Sequence, residues 1–133
     1  MSTESDDRRA EFSHWMSSAF NGAELENVTA FCFNISETYD AFVMELVGAP
    51  LYDADDPDWA CDEVFAYREP PFKLLSKNRE RTWENALEFA ARLVRGFVDG
   101  RSANALVLAS RTVAVGFVDG DLQVVWPQPV QGP

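Results

Sequence analysis

From Thr82 to Trp126 the apolar positions follow first a helical rhythm and then that of strands. At about 100° per residue, Trp83, Ala86, Leu87, Phe89, Ala90, Ala91, Leu93, Val94, Phe97 and Val98 fall on one broad arc. Glu84, Asn85, Glu88, Arg92 and Arg95 share the opposite arc. This spacing predicts a helix over 82–98, with Thr82 as its N-cap, Glu84 favoured in the first turn by the helix dipole, and Gly100 as its stop. So wide an apolar arc suits a helix laid across a sheet. Three strands are predicted to follow as a meander: 105–109, 112–118 and 121–126. Asp119-Gly120 between the last two is a strong hairpin signal, because a type I′ turn needs positive φ at both central residues. Such a turn sets Phe117 opposite Leu122, Val115 opposite Val124 and Val113 opposite Trp126, all on one face to be buried under the helix.

Earlier in the chain the same rhythms are shorter. Phe12, Trp15, Met16, Ala19 and Phe20 form a helical stripe over 8–20, which leaves His14 on the solvated side and ends at Asn21-Gly22. Alternation predicts a strand over 28–35, with Phe31, Phe33 and Ile35 on one face. Ser36 then reads as the N-cap of a helix over 37–47 with Tyr39, Phe42, Val43 and Leu46 buried, stopped by Gly48-Ala49-Pro50. Val64–Tyr67 reads as a short strand broken by Pro70-Pro71, and 72–81 as a basic connector. The pattern predicts one α+β domain over 1–126, with a mostly antiparallel sheet ending in a C-terminal three-stranded meander and about three helices covering it. Residues 127–133 read as a Pro-rich flexible tail.

Composition sharpens this picture mainly through charge. With 133 residues, 47% of them hydrophobic, the chain can bury an ordinary core. Its net charge is −11, and residues 1–63 hold 15 Asp and Glu against only Arg8 and Arg9. Such a balance repels phosphates and argues against nucleic-acid binding. No basic-then-apolar leader and no apolar run of spanning length appears, so the expectation is a cytoplasmic protein without membrane contact. Cys32 and Cys61 are too few for a disulfide framework and lack metal-ligand spacing, which makes reduced, buried or half-buried thiols the expectation.

The most unusual stretch is 51–63, where Asp53, Asp55, Asp56, Asp58, Asp62 and Glu63 surround Trp59. A calcium loop is excluded: Pro57 takes the third ligand position, Asp58 replaces the required glycine, and Val64 stands where the bidentate glutamate belongs. Asp56 can cap a short turn containing Trp59, but one turn does not account for six carboxylates. Surplus carboxylates around a Trp suit a surface that binds a basic protein, so these seven residues are the predicted partner-binding site. No nucleophile elbow, no Cys-x-x-Cys pair and no phosphate-cradling glycine loop occurs, so no catalytic residue, metal or cofactor is predicted. The meander's second face, with Val107, Ala114, Gly116, Val118 and Val125, is expected to lie under an earlier helix; a partner or homodimer contact is the alternative.

Two segments, Asp58-Trp-Ala-Cys-Asp-Glu-Val-Phe65 and Val113-Ala-Val-Gly-Phe-Val-Asp-Gly-Asp-Leu122, with Trp83-Glu84, resemble a family of small, acidic, uncharacterised bacterial proteins. The family is associated with immunity proteins that neutralise polymorphic or contact-dependent toxins, and the resemblance spans roughly 31–126. It implies a non-catalytic binding protein without cofactor, whose acidic surface meets a cationic toxin. The alternatives are a small enzyme with a carboxylate-based site and an acidic mimic of DNA; a mimic would spread its carboxylates rather than gather them around an apolar anchor.

Overall fold

The computed structural model describes residues 3–56, 58–77, 82–118 and 120–127, with side chains from residue 8 onward. The elements run α1 (Thr3–Phe20), β1 (Ala30–Glu37), β2 (Ala41–Ala49), a 3₁₀ turn (Trp59–Cys61), β3 (Phe65–Ser76), α2 (Trp83–Asp99), α3 (Ala103–Ala109), β4 (Thr112–Phe117) and β5 (Gln123–Trp126). The five strands form one open sheet in the order β3-β2-β1-β4-β5. All neighbours are antiparallel except the central pair β1 and β4, which run parallel with Ala30 beside Thr112 and Ile35 beside Phe117. The fold is a single α+β domain, as the hydrophobic pattern predicts.

The main core lies between the helices and one face of the sheet. Phe12, Trp15 and Met16 from α1, Ala90, Leu93 and Val94 from α2, and Leu108 from α3 meet Phe31, Phe33 and Ile35 of β1 and Met44 and Leu46 of β2. Phe12 is its hub, with its ring 5.3 Å from those of Phe72 and Phe97 and 5.7 Å from that of Phe33. Helix α2 starts as its sequence predicts: the Thr82 hydroxyl accepts from the Asn85 N–H while the Asn85 side chain accepts from the Thr82 N–H. Gly22 closes α1 with φ +70°, but beyond α2 the left-handed position falls to Arg101, at φ 57°, rather than to Gly100, at φ −69°.

Three elements depart from the sequence pattern. Residues 37–47 do not form a helix: β2 turns back on β1 through Tyr39 and Asp40, with Thr38 N–H donating to Ala41 O at 2.8 Å. Tyr39, expected in the buried stripe, is fully exposed at the turn. The reason is that Phe42, Met44 and Leu46 also satisfy a period of two and pack under the helices, while Val47 and Ala49 on the other face of β2 lie under Trp59. Residues 105–109 are not the first strand of a meander but part of α3, so the meander reduces to the β4–β5 pair. Ser102 caps this helix by accepting from Ala105 N–H at 3.1 Å, and Ala105 and Leu108 meet the core at helical spacing. Finally, β3 continues through Pro70-Pro71 instead of breaking. It is an edge strand, and residues 68–71 bulge away between the Leu46–Tyr67 and Met44–Phe72 pairs. The freed Pro70 carbonyl accepts the Trp15 indole N–H at 2.8 Å.

The β4–β5 pairing is partly as predicted. Val113 does face Trp126, but Ala114 pairs with Val124 and Val115 with Gln123, so Val125 is an extra residue in β5. The bulge turns Val125 and Trp126 towards the main core and removes Leu122 and Val124 from it. Phe117 stays at the core margin, its ring 6.2 Å from those of Phe42 and Trp83. The connection is not a two-residue turn: the β4–β5 pairing ends at Val115 and Gln123, with Gly120 N–H donating to Phe117 O at 3.0 Å. Asp119, central to the predicted type I′ turn, lies outside the described residues, as does the tail beyond Pro127. Among the described residues no helix is long and apolar enough to cross a membrane.

Candidate functional site

The sheet's second face is built from small residues: Ala30 and Cys32 on β1, Val47 and Ala49 on β2, and Ala114 on β4. Among the described residues no helix lies over them. The loop from Pro50 to Val64, which joins two antiparallel neighbours, crosses this face and lays Trp59 on it. Small residues below leave the space that one indole fills. Trp59 is 7% exposed, and its ring meets that of Tyr52 edge-on at 5.3 Å. Leu122 and Ala60 close the margins of this second cluster. The expectation that an earlier helix covers the face is therefore corrected, and Val107 and Val125 belong to the main core instead.

The loop's carboxylates divide by what they hold. Asp53 Oδ1 accepts from Asp55 N–H at 2.9 Å, and Asp56 Oδ1 accepts from Asp58 N–H at 3.0 Å. These two local turns lead into the 3₁₀ turn, whose Trp59 N–H donates to Asp56 O and whose Cys61 N–H donates to Asp58 O. Glu63 binds Arg68 on β3, which also reaches Glu45 on β2 at 3.1 Å. The hydrogen bond to Glu63 raises the Arg68 pKa and fastens the end of the loop to the edge strand. Asp53 and Glu63, which one short turn did not account for, thus have structural partners. Asp55, Asp58 and Asp62 are exposed, and among the described residues none of them forms an ion pair or accepts a side-chain hydrogen bond.

All seven predicted site residues lie on this one loop, but they do not form one kind of surface. Five carboxylates face outwards or into the loop's own backbone, Glu63 reaches Arg68 on β3, and Trp59 faces the sheet. The indole is a foundation for the loop rather than an exposed anchor. Among the described residues no three His, Cys, Asp or Glu side chains converge on a point that could hold a metal ion.

A second concavity went unnoticed in the sequence. A groove of about 590 Å³ runs between α1 and the β3 bulge, with Glu11, His14, Tyr67, Pro70, Pro71 and Lys73 on its walls. Only a long-range pairing of α1 with the edge strand creates it, so no local motif could signal it. His14 stands exposed at its rim, on the solvated side of α1 as predicted.

No family model, no curated protein and no solved structure matches the chain.

Proposed function

We propose that this chain is a non-catalytic protein-binding module, an immunity protein whose acidic loop receives the basic surface of a toxin. The observation that carries the reading is the set of uncommitted carboxylates at Asp55, Asp58 and Asp62, held on a loop that Trp59 pins to the sheet. Crowded like charges oppose folding, and these three have no cation among the described residues to offset them. A basic partner would supply that cation. Because the loop is already fixed by its own turns and by the Glu63–Arg68 pair, little ordering remains to oppose binding. The net charge of −11 would attract a cationic partner over a distance, an attraction that fades within about 10 Å at 0.1 M salt.

The test uses the protein encoded in the neighbouring reading frame, since an immunity protein is normally encoded beside its toxin. Expression of that neighbour alone should arrest growth, and co-expression of this chain should restore it. Asp55→Asn with Asp58→Asn and Asp62→Asn should melt at the parent temperature or above it, yet associate with the purified neighbour at least tenfold more slowly at low salt. A harmless neighbour, or a triple variant that binds like the parent at every salt concentration, would refute the proposal.

A further inference from the structure

The sequence predicts reduced, buried or half-buried thiols, and the fold brings the two segments that carry them onto one face of the sheet. Cys32 points from β1 into the second face, fully buried, and its thiol donates to Asn34 Oδ1 at 3.2 Å. The 3₁₀ turn that carries Cys61 lies on the same face, and the two residues before it, Trp59 and Ala60, pack into the cluster that contains Cys32. Cys61 is exposed.

We infer that Cys32 and Cys61 are a reversible oxidation site, closing an intramolecular disulfide that fastens the acidic loop to β1. Both thiols are free in this structure. Burial pushes the Cys32 thiol up to about 12, and Cys61 adds to the shift in the same direction. The described residues of the loop carry no sheet pairing between Ala49 and Phe65 beyond the Val64 N–H to Gly48 O bond at its end, so a small shift of the 3₁₀ turn does not disturb the strands.

The order of reaction follows from access. With glutathione disulfide as oxidant, the exposed Cys61 thiolate attacks one sulfur and expels one glutathione thiolate, leaving a mixed disulfide. Cys32 then gives up its proton, attacks the Cys61 sulfur and expels the second glutathione. Two protein thiols are oxidised and one glutathione disulfide is reduced to two thiols, and excess glutathione reverses both steps. Cys32 cannot begin the sequence because its sulfur is covered.

This inference is independent of the proposed partner. The experiment exposes the folded parent to glutathione disulfide and reads intact mass and peptide maps without reduction. The parent should lose the mass of two hydrogens and yield one peptide linking Cys32 to Cys61, restored by reductant. Cys32→Ala should stop at a glutathione adduct on Cys61, and Cys61→Ser should not react until denatured. A parent that stops at the adduct, forms only covalent dimers, stays reduced, or closes the link only in urea would overturn it. If Cys32→Ala does not fold, the parent and Cys61→Ser still decide the question.

Discussion

At Gly116, on the second face of β4, the backbone leaves no room for a methyl group. An added Cβ would stand 2.7 Å from Asp121 O and 2.9 Å from Leu122 Cδ2, and the first of these is backbone that cannot rotate aside. Gly116→Ala should therefore push the 118–122 connection off the sheet and destabilise the fold by about 1–3 kcal/mol, measured by urea unfolding. Arg101 predicts the opposite sign. Its φ of 57° is a left-handed conformation that costs a residue with a Cβ about 1–2 kcal/mol. Arg101→Gly should raise stability by roughly 0.5–1 kcal/mol after the greater freedom of unfolded glycine is subtracted.

Cys32 gives a pH dependence whose sign is fixed by burial. Its thiol titrates near 9 when unfolded and at about 12 in the folded chain. Below pH 9 both states hold the proton and stability does not depend on this group. Between pH 9 and pH 12 the unfolded chain loses the proton first, so stability falls with rising pH by about 1.4 kcal/mol per unit. Between pH 8 and pH 10.5 the parent should lose roughly 2 kcal/mol more than Cys32→Ala does, as read from urea midpoints. Equal losses in the two proteins would place the thiol in contact with water.

Among the elements, α2 was the most legible because its sequence agrees with its surroundings at every level. A wide apolar arc, a capping Thr82 and a first-turn Glu84 all indicate the same helix. Thr82→Ala removes the hydroxyl acceptor of the box and should lower stability by about 1 kcal/mol; Thr82→Ser should restore most of it. The elements misread from sequence are those in which two periods coincide. In 41–49, Phe42, Val43 and Leu46 fit a helical stripe, while Phe42, Met44 and Leu46 fit a strand, and only the hairpin with β1 selects the latter. The turn that permits this hairpin carries no Gly or Pro; it rests on Thr38, whose hydroxyl accepts from Ala41 N–H at 3.1 Å. In 103–109 the helical signal is local: Ser102 is a good cap, and Ala and Leu favour helices. The β5 bulge has no such signal, because Val124, Val125 and Trp126 are all apolar and do not mark where the alternation slips. In the candidate site the acidic cluster was legible as composition. Its division into structural and uncommitted carboxylates was not, since Glu63 depends on Arg68 across the loop and Trp59 on small residues from three strands.

For the molecule as a whole, the strand order explains how so acidic a loop is tolerated. Its two ends, Ala49 and Phe65, belong to neighbouring antiparallel strands, and its middle is fixed by one indole over a floor of small side chains. Arg111 performs the matching task at the bottom of the main core. Its guanidinium donates to Val28 O at 2.8 Å, Leu25 O at 3.0 Å and Val107 O at 2.9 Å, so one side chain joins the segment before β1 to α3.

The parallel pairing of β1 with β4 also dictates an order of events on the ribosome. β1, β2 and β3 are consecutive antiparallel neighbours and can assemble as soon as Ser76 has emerged. β1 then has a bare, apolar edge for the whole interval in which α2 and α3 are made, because only β4 covers it. During that interval the nascent protein is a sticky sheet with a free seam, able to zip onto the same seam of another chain. A fragment ending at Ala109 should accordingly appear as soluble oligomers or aggregates by light scattering, whereas the full chain should stay dispersed at the same concentration. Adding a peptide of residues 110–127 during refolding should suppress the association, and a fragment that remains monomeric without it would mean that β1 finds cover elsewhere.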